Sequence, residues 1–242
     1  MTPAPPLELR VQGTGLTRMA QARLAGGLYL LVILGGLFAE AVVLGRLTVA
    51  GDATATAQAI ADDAWLWRLG LGVHLFYLAC AAPVMYLLLY RMLSPLQPTL
   101  ARMAVTFAVI SAAVEGAALL QLYVPLAMVE SQAALGALRD GQAAALAYLA
   151  IRLYETGFGF ALLFFAGFCS ATGVALLRSL IVPRPIGWMM VAAGICYLAG
   201  SLSTVVLPAF AGWLFPWILL PCLVGEASLA LWLLAKGVRD GG

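Results

Sequence analysis

Charge is what this chain has least of. Only 10% of its 242 residues are Asp, Glu, Lys or Arg, while 64% are hydrophobic, and the mean hydropathy is +1.01. A water-soluble domain needs far more charge to cover its surface, so a soluble enzyme or binding module is excluded. With one histidine, His74, bis-histidine haem ligation by a single chain is excluded too. No H-E-x-x-H or G-x-S-x-G pattern occurs, and the Gly-Phe-Gly at 157–159 is no phosphate loop. The cysteines, Cys80, Cys169, Cys196 and Cys222, lie in or beside apolar runs without C-x-x-C spacing. They read as small buried apolar residues rather than metal ligands or disulfide partners. No basic stripe with interleaved aromatics marks a nucleic-acid surface, so the net charge of +2 points to no such partner. Neither a metal nor a cofactor is expected.

What the chain does have is long uncharged runs. A bilayer core of ~30 Å takes roughly 20 residues of helix. Runs of that order fall at about 24–45, 69–90, 103–127, 153–177, 186–207 and 214–235. They are continuously apolar rather than alternating, which argues against a barrel. The expected fold is therefore all-α: a polytopic membrane protein, a six-helix bundle over residues 24–238, between tails at 1–23 and 239–242. The polar N-terminal stretch does not resemble a cleavable signal, because the following apolar run exceeds the ~7–15 residues of a signal and no small-residue cleavage site ends it.

The thirteen basic residues divide unevenly between the two ends of such a bundle. Arg10, Arg18, Arg23, Arg91, Arg102, Arg178, Arg184, Lys236 and Arg239 flank one end; Arg46, Arg68, Arg139 and Arg152 flank the other. The second group is accompanied by Asp52, Asp62, Asp63, Glu130, Asp140 and Glu155. By the positive-inside rule, both termini are expected in the cytoplasm. The segment from Val49 to Trp67 opens with Gly51 and a potential N-cap, Asp52, suited to a short interfacial helix. Trp65, Trp67, Trp213 and Trp217 fit an aromatic belt at the outer headgroups, with Trp188 and Trp232 on the inner side.

A charge at the bilayer centre costs roughly 2.5–3.5 kcal/mol on insertion scales, so ionisable residues inside the spans carry the functional information. Glu40, Arg68, His74, Arg152 and Glu155 belong to the outer half, and Glu115 and Glu226 lie near the middle of the third and sixth spans. Arg152 and Glu155, three apart on one helical face, can pair locally. Tyr197, Ser201 and Thr204 form a polar stripe on the fifth span at i, i+4 and i+7. The ligand-binding hypothesis is that Glu40, Arg68, His74, Glu115, Arg152, Glu155, Tyr197, Ser201 and Glu226 line an outward-opening polar pocket. The competing reading is a buried structural network. Either central glutamate can be neutralised by desolvation or ionised against an arginine such as Arg68.

Small residues supply packing faces: Ala104, Ala108, Ala112 and Gly116 recur every four residues, and Gly26, Gly27, Gly35 and Gly36 crowd the first span. Val-Glu-Gly-Ala at 114–117 and Val-Gly-Glu-Ala at 224–227 are a weak internal echo, each glutamate about a dozen residues into the third helix of a three-helix half. Halves running in opposite senses would make them inverted repeats, as in transporters. Glu40 and Glu155, however, do not match in position.

Five stretches, 24–40, 51–60, 66–76, 178–201 and 220–238, resemble the bacterial membrane proteins grouped as domain of unknown function 4386. The resemblance rests on Gly51-Asp52-Ala53 with Thr56, the Arg68-Leu69-Gly70 entering the second span, and the Gly225-Glu226 that leads to Trp232 and Lys236-Gly237. It implies a multi-pass protein of the bacterial cytoplasmic membrane with no established activity, and singles out Asp52, Thr56, Arg68, Gly225 and Glu226. Where some relatives are expected to carry a histidine and a serine, this chain has Glu155 and Thr156, which weakens any metal or proton role there. Three functions follow as expectations: a carrier or sensor binding a small molecule or lipid, a structural or accessory subunit packed on a membrane partner, and an intramembrane lipid-modifying enzyme using Glu226 or His74. The lipid bilayer is the one partner all three share, and the oligomeric state is left open.

Overall fold

A computed structural model of the chain describes residues 17–130 and 141–238. Among them there are helices and no strands. Six helices are long and apolar enough to cross a membrane, as the composition requires: a backbone in hydrocarbon must satisfy its own hydrogen bonds. In chain order the elements are α1 (Arg18–Leu47), the short α2 (Ala53–Asp62), α3 (Ala64–Leu93), α4 (Pro98–Met128), α5 (Gln142–Ser179), α6 (Arg184–Val206) and α7 (Pro208–Ala235). Arg10, Arg139, Asp140 and Arg239 fall outside the described residues, as do the side chains of Glu130 and Trp213.

Local chemistry sets the helix ends. Asp52 caps α2 by accepting from the Ala55 N–H at 2.9 Å, and Asp63 accepts from the Leu66 N–H at the head of α3. Proline stands in the first turn of α4, α6 and α7, where its missing N–H costs nothing. The fifth element starts at Gln142, well before the apolar run at 153, because the Ala-rich stretch ahead of Arg152 is strongly helix-forming.

The spans run antiparallel, with Arg18 and Ala235 at one end of the bundle, here the termini end; the α1–α2 connection and α2 lie at the other, the loop end. Two apolar clusters fill the bundle. The termini-end cluster includes Tyr29, Met85, Leu93, Phe168, Met190 and Leu233; the loop-end cluster includes Ile60, Trp67, Leu122, Ile151 and Tyr154. Glycines let the backbones meet: a Cβ on Gly26 would fall 2.5 Å from the Ala230 carbonyl, and one on Gly173 2.8 Å from the Gly187 carbonyl.

Three spans depart from α-helical geometry at the loop-end level. Phe38–Leu44 in α1 and Tyr77–Ala81 in α3 are π-helical, and Leu120–Leu122 in α4 is a 3-10 turn. Pro83 follows the second and Pro125 the third, and a proline inside a helix removes one backbone bond and crowds the carbonyl four residues back. The irregular turns absorb that conflict.

Candidate functional site

The irregular turns surround a polar cluster drawn from four spans. The π-segment of α1 carries Glu40, that of α3 begins at Tyr77 one turn beyond His74, α4 supplies Glu115, and α5 supplies Tyr154. His74 Nε2 lies 2.9 Å from Glu115 Oε1, with one hydrogen between them, and the Tyr77 hydroxyl donates to that same oxygen at 2.7 Å. The Tyr154 hydroxyl donates to Glu40. The His74 ring stacks on Tyr77 with centroids 4.8 Å apart and meets Tyr154 edge-on at 6.1 Å, joining the two carboxylates' surroundings into one network.

Burial grades outward through this network. His74 is 1% exposed and Glu115 15%, whereas Glu40 is half-buried and Glu155 38% exposed. His74 lines a cavity of about 10 Å³ together with Ala39, Trp67, Gly70 and Leu122, and its Nδ1 is buried with no partner among the described residues. That volume matches one water molecule. Ile60 of α2 packs in the same apolar cluster as Trp67 and Tyr154, so the short helix covers this end. Thr56 ties α2 down, its hydroxyl donating to Val49 O and Asp52 O and accepting from the Val49 N–H.

Glu226 lies elsewhere. It is 6% exposed in α7 and accepts from the Tyr197 hydroxyl of α6 at 2.5 Å. The Tyr29 hydroxyl of α1 is wholly buried, has no partner at full hydrogen-bond distance, and lies near enough to act on the same carboxylate. The candidate residues thus divide into two clusters, Glu40–His74–Glu115 with tyrosines 77 and 154, and Glu226 with tyrosines 197 and 29.

Of the other candidates, Glu155 lies near enough to Glu40 to act on it. Arg68 is exposed, and the bonds to Glu115 come from His74 and Tyr77. Arg152 pairs with Glu155 across one turn at the surface. Ser201 is buried with its hydroxyl unpartnered, and the Thr204 hydroxyl donates to the Ser201 carbonyl. Among the described residues no group of three His, Cys, Asp or Glu is placed to hold a metal. Trp67 corrects the belt expectation: it is 1% exposed and donates its indole N–H to the Leu122 carbonyl at 2.9 Å, while Trp65 at 73% and Trp217 at 65% remain outward. Sequence reasoning missed Tyr29, Tyr77 and Tyr154. Their signal was a phenol deep in an apolar span, which needs a partner when buried.

The family model described as domain of unknown function (DUF4386) matches residues 24–237. The chain belongs to this family. No curated protein and no solved structure matches it. In this DUF4386 member four of the five motif residues have a role by position. Asp52 caps, Thr56 hooks α2 to its loop, a Cβ on Gly225 would meet the Met189 carbonyl at 2.7 Å, and Glu226 is the buried carboxylate.

Proposed function

We propose that this membrane protein is a non-enzymatic carrier or sensor that receives an ammonium-bearing small molecule or lipid headgroup at Glu40. The observation that carries the reading is the setting of that carboxylate: half-buried, in a π-helical turn, bonded by the Tyr154 hydroxyl and acted on by His74, Glu115 and Glu155, while neither the His74–Glu115 nor the Arg152–Glu155 pair reaches it. An acid placed so in a membrane span is costly and seeks a cation. The cavity beside His74 holds no more than a water, so a larger ligand is received at the exposed edge by Glu40 and Glu155. The uneven arginine distribution supports cytoplasmic termini, and with them an outer-leaflet position for this edge; the family resemblance supports a bacterial cytoplasmic membrane.

The test is thermal unfolding in phosphatidylglycerol nanodiscs, with added ethanolamine, and separately in nanodiscs containing phosphatidylethanolamine. Ligand binding to the folded state raises the melting temperature. Stabilisation by the first indicates a soluble amine and by the second alone a lipid; Glu40→Gln is expected to abolish either while keeping its own cooperative transition. Equal stabilisation of Glu40→Gln, or none of the wild type, overturns the reading. The accessory-subunit alternative has its own support in an open apolar groove between α1 and α3, lined by Leu31, Leu34, Phe38, Leu69, Val73 and Phe76.

A further inference from the structure

The two carboxylate clusters have the same construction. Divide the spans into a first half, α1, α3 and α4, and a second half, α5, α6 and α7. In each half the third span carries the glutamate and the second span carries the tyrosine that donates to it: Tyr77 to Glu115 and Tyr197 to Glu226. The third member is exchanged between halves. Tyr154 from the first span of the second half stands at the Glu40–His74–Glu115 cluster, and Tyr29 from the first span of the first half faces Glu226. The residues lie at nearly the same offset beyond the first residue of each helix: 11 and 12 for Tyr29 and Tyr154, 13 and 13 for Tyr77 and Tyr197, 17 and 18 for Glu115 and Glu226. Because each half has three spans, corresponding helices start at opposite ends of the bundle. That is the relation of inverted repeats, in which sites lie at equivalent depths on either side of the midplane.

The correspondence fails in an informative way. At the positions matching His74 and Glu40, the second half has Gly194 and Phe164–Phe165. The Glu226 cluster is therefore the simpler version, a carboxyl with two phenols and no imidazole. From the packed elements it is faced by Tyr29 of α1, Tyr86 of α3, Cys169 of α5 and Tyr197 of α6, with Cys222 on its own helix, and by no basic group among the described residues. The Tyr29 hydroxyl, fully buried, without a partner at full hydrogen-bond distance and near enough to act on the carboxylate, is a second donor available to it beside Tyr197.

We propose that Glu226 with Tyr197 and Tyr29 is a proton-exchange site in the termini-end half of the membrane, the inverted-repeat counterpart of the Glu115 cluster. When the carboxyl is protonated, Tyr197 supplies its hydrogen bond; when the proton leaves, Tyr29 closes the second bond to the resulting carboxylate. No other reactant is needed, since the proton goes to or comes from water at the termini end. This inference does not depend on amine binding at Glu40.

Infrared difference spectra of lipid-reconstituted protein between acid and alkaline buffer test it. A buried-carboxyl carbonyl band is expected to appear on acidification, to shift in deuterated buffer, to be lost in Glu226→Gln, and to move in both Tyr197→Phe and Tyr29→Phe. If Glu226→Gln does not fold, the two tyrosine variants still decide the matter. A Glu226 band that is insensitive to pH, or one left in place by both tyrosine substitutions, overturns the proposal and leaves Glu226 as a permanent structural bond.

Discussion

Glu115 shows how much a single residue can hold together. Its one oxygen terminates a histidine of 1% exposure and a tyrosine hydroxyl, both from α3, so the carboxylate fastens α4 to the π-helical turn beside it. Removing the acceptor strands both groups, and an unsatisfied buried polar group costs about 1–3 kcal/mol. Glu115→Leu is accordingly expected to lower the melting temperature in detergent well below that of Glu115→Gln, whose amide oxygen still accepts from Tyr77. Equal destabilisation of the two would mean that volume, not hydrogen bonding, governs the position. The sequence made Glu115 and Glu226 conspicuous as acids in apolar spans, but the partners of Glu115 came from another helix. His74 was visible as a lone titratable residue; Tyr77, written among Phe, Leu and Ala, was not, because an apolar neighbourhood in sequence does not show where a hydroxyl points.

At the scale of the element, glycines sort into those that carry packing and those that do not. A Cβ on Gly173 would press on the Gly187 carbonyl and the Val191 N–H at 2.8 Å, and one on Gly26 on the backbone of α7, whereas Gly36 and Gly72 face open space. Overpacking of this kind costs about 1–3 kcal/mol because backbone has to move. Gly26→Ala and Gly173→Ala are expected to unfold at lower temperature than the wild type, while Gly36→Ala and Gly72→Ala match or exceed it, alanine being the better helix former. A uniform response would remove the distinction. The run Gly35-Gly36 alone does not reveal this: two adjacent glycines point to different sides of α1, one against Tyr77 and the other away from the protein. The π-helical turn in α3 was foreshadowed by Pro83. That in α1 has no proline to announce it.

The whole molecule is a bundle whose two ends differ in charge, and that asymmetry predicts its orientation. Among the described residues Arg18, Arg23, Arg91, Arg102, Arg178, Arg184 and Lys236 flank the termini end and Arg46, Arg68 and Arg152 the loop end. In a cysteine-free background, Thr54→Cys, at an exposed position of α2, is expected to react with a membrane-impermeant maleimide in intact cells, and Ser94→Cys, in the α3–α4 turn, only after lysis. The opposite pattern would invert the assignment and place the Glu40 edge toward the cytoplasm. At this scale, too, the echo between Val114–Ala117 and Val224–Ala227 gains meaning. Four shared residues in two different orders are weak; a glutamate of the third span meeting a tyrosine from the preceding span in both halves is a relation between three-dimensional positions.

The amino-acid sequence by itself determined the solvent, the number of spans and their all-helical character, because these depend on the length and continuity of apolar runs, which are properties of neighbours along the chain. It also determined that a handful of acids had to be accounted for. Only the tertiary structure decided that Glu115 and Glu226 take their hydrogen bonds from different side chains, that Arg68 stays exposed while His74 and Tyr77 bind Glu115, and that Trp67 turns inward to a carbonyl of α4. The reason is geometric. Hydrogen bonds between spans depend on how each helix is rotated about its axis and how far it slides along its neighbour, and in this protein π-helical and 3-10 turns reset that rotation within three of the six spans.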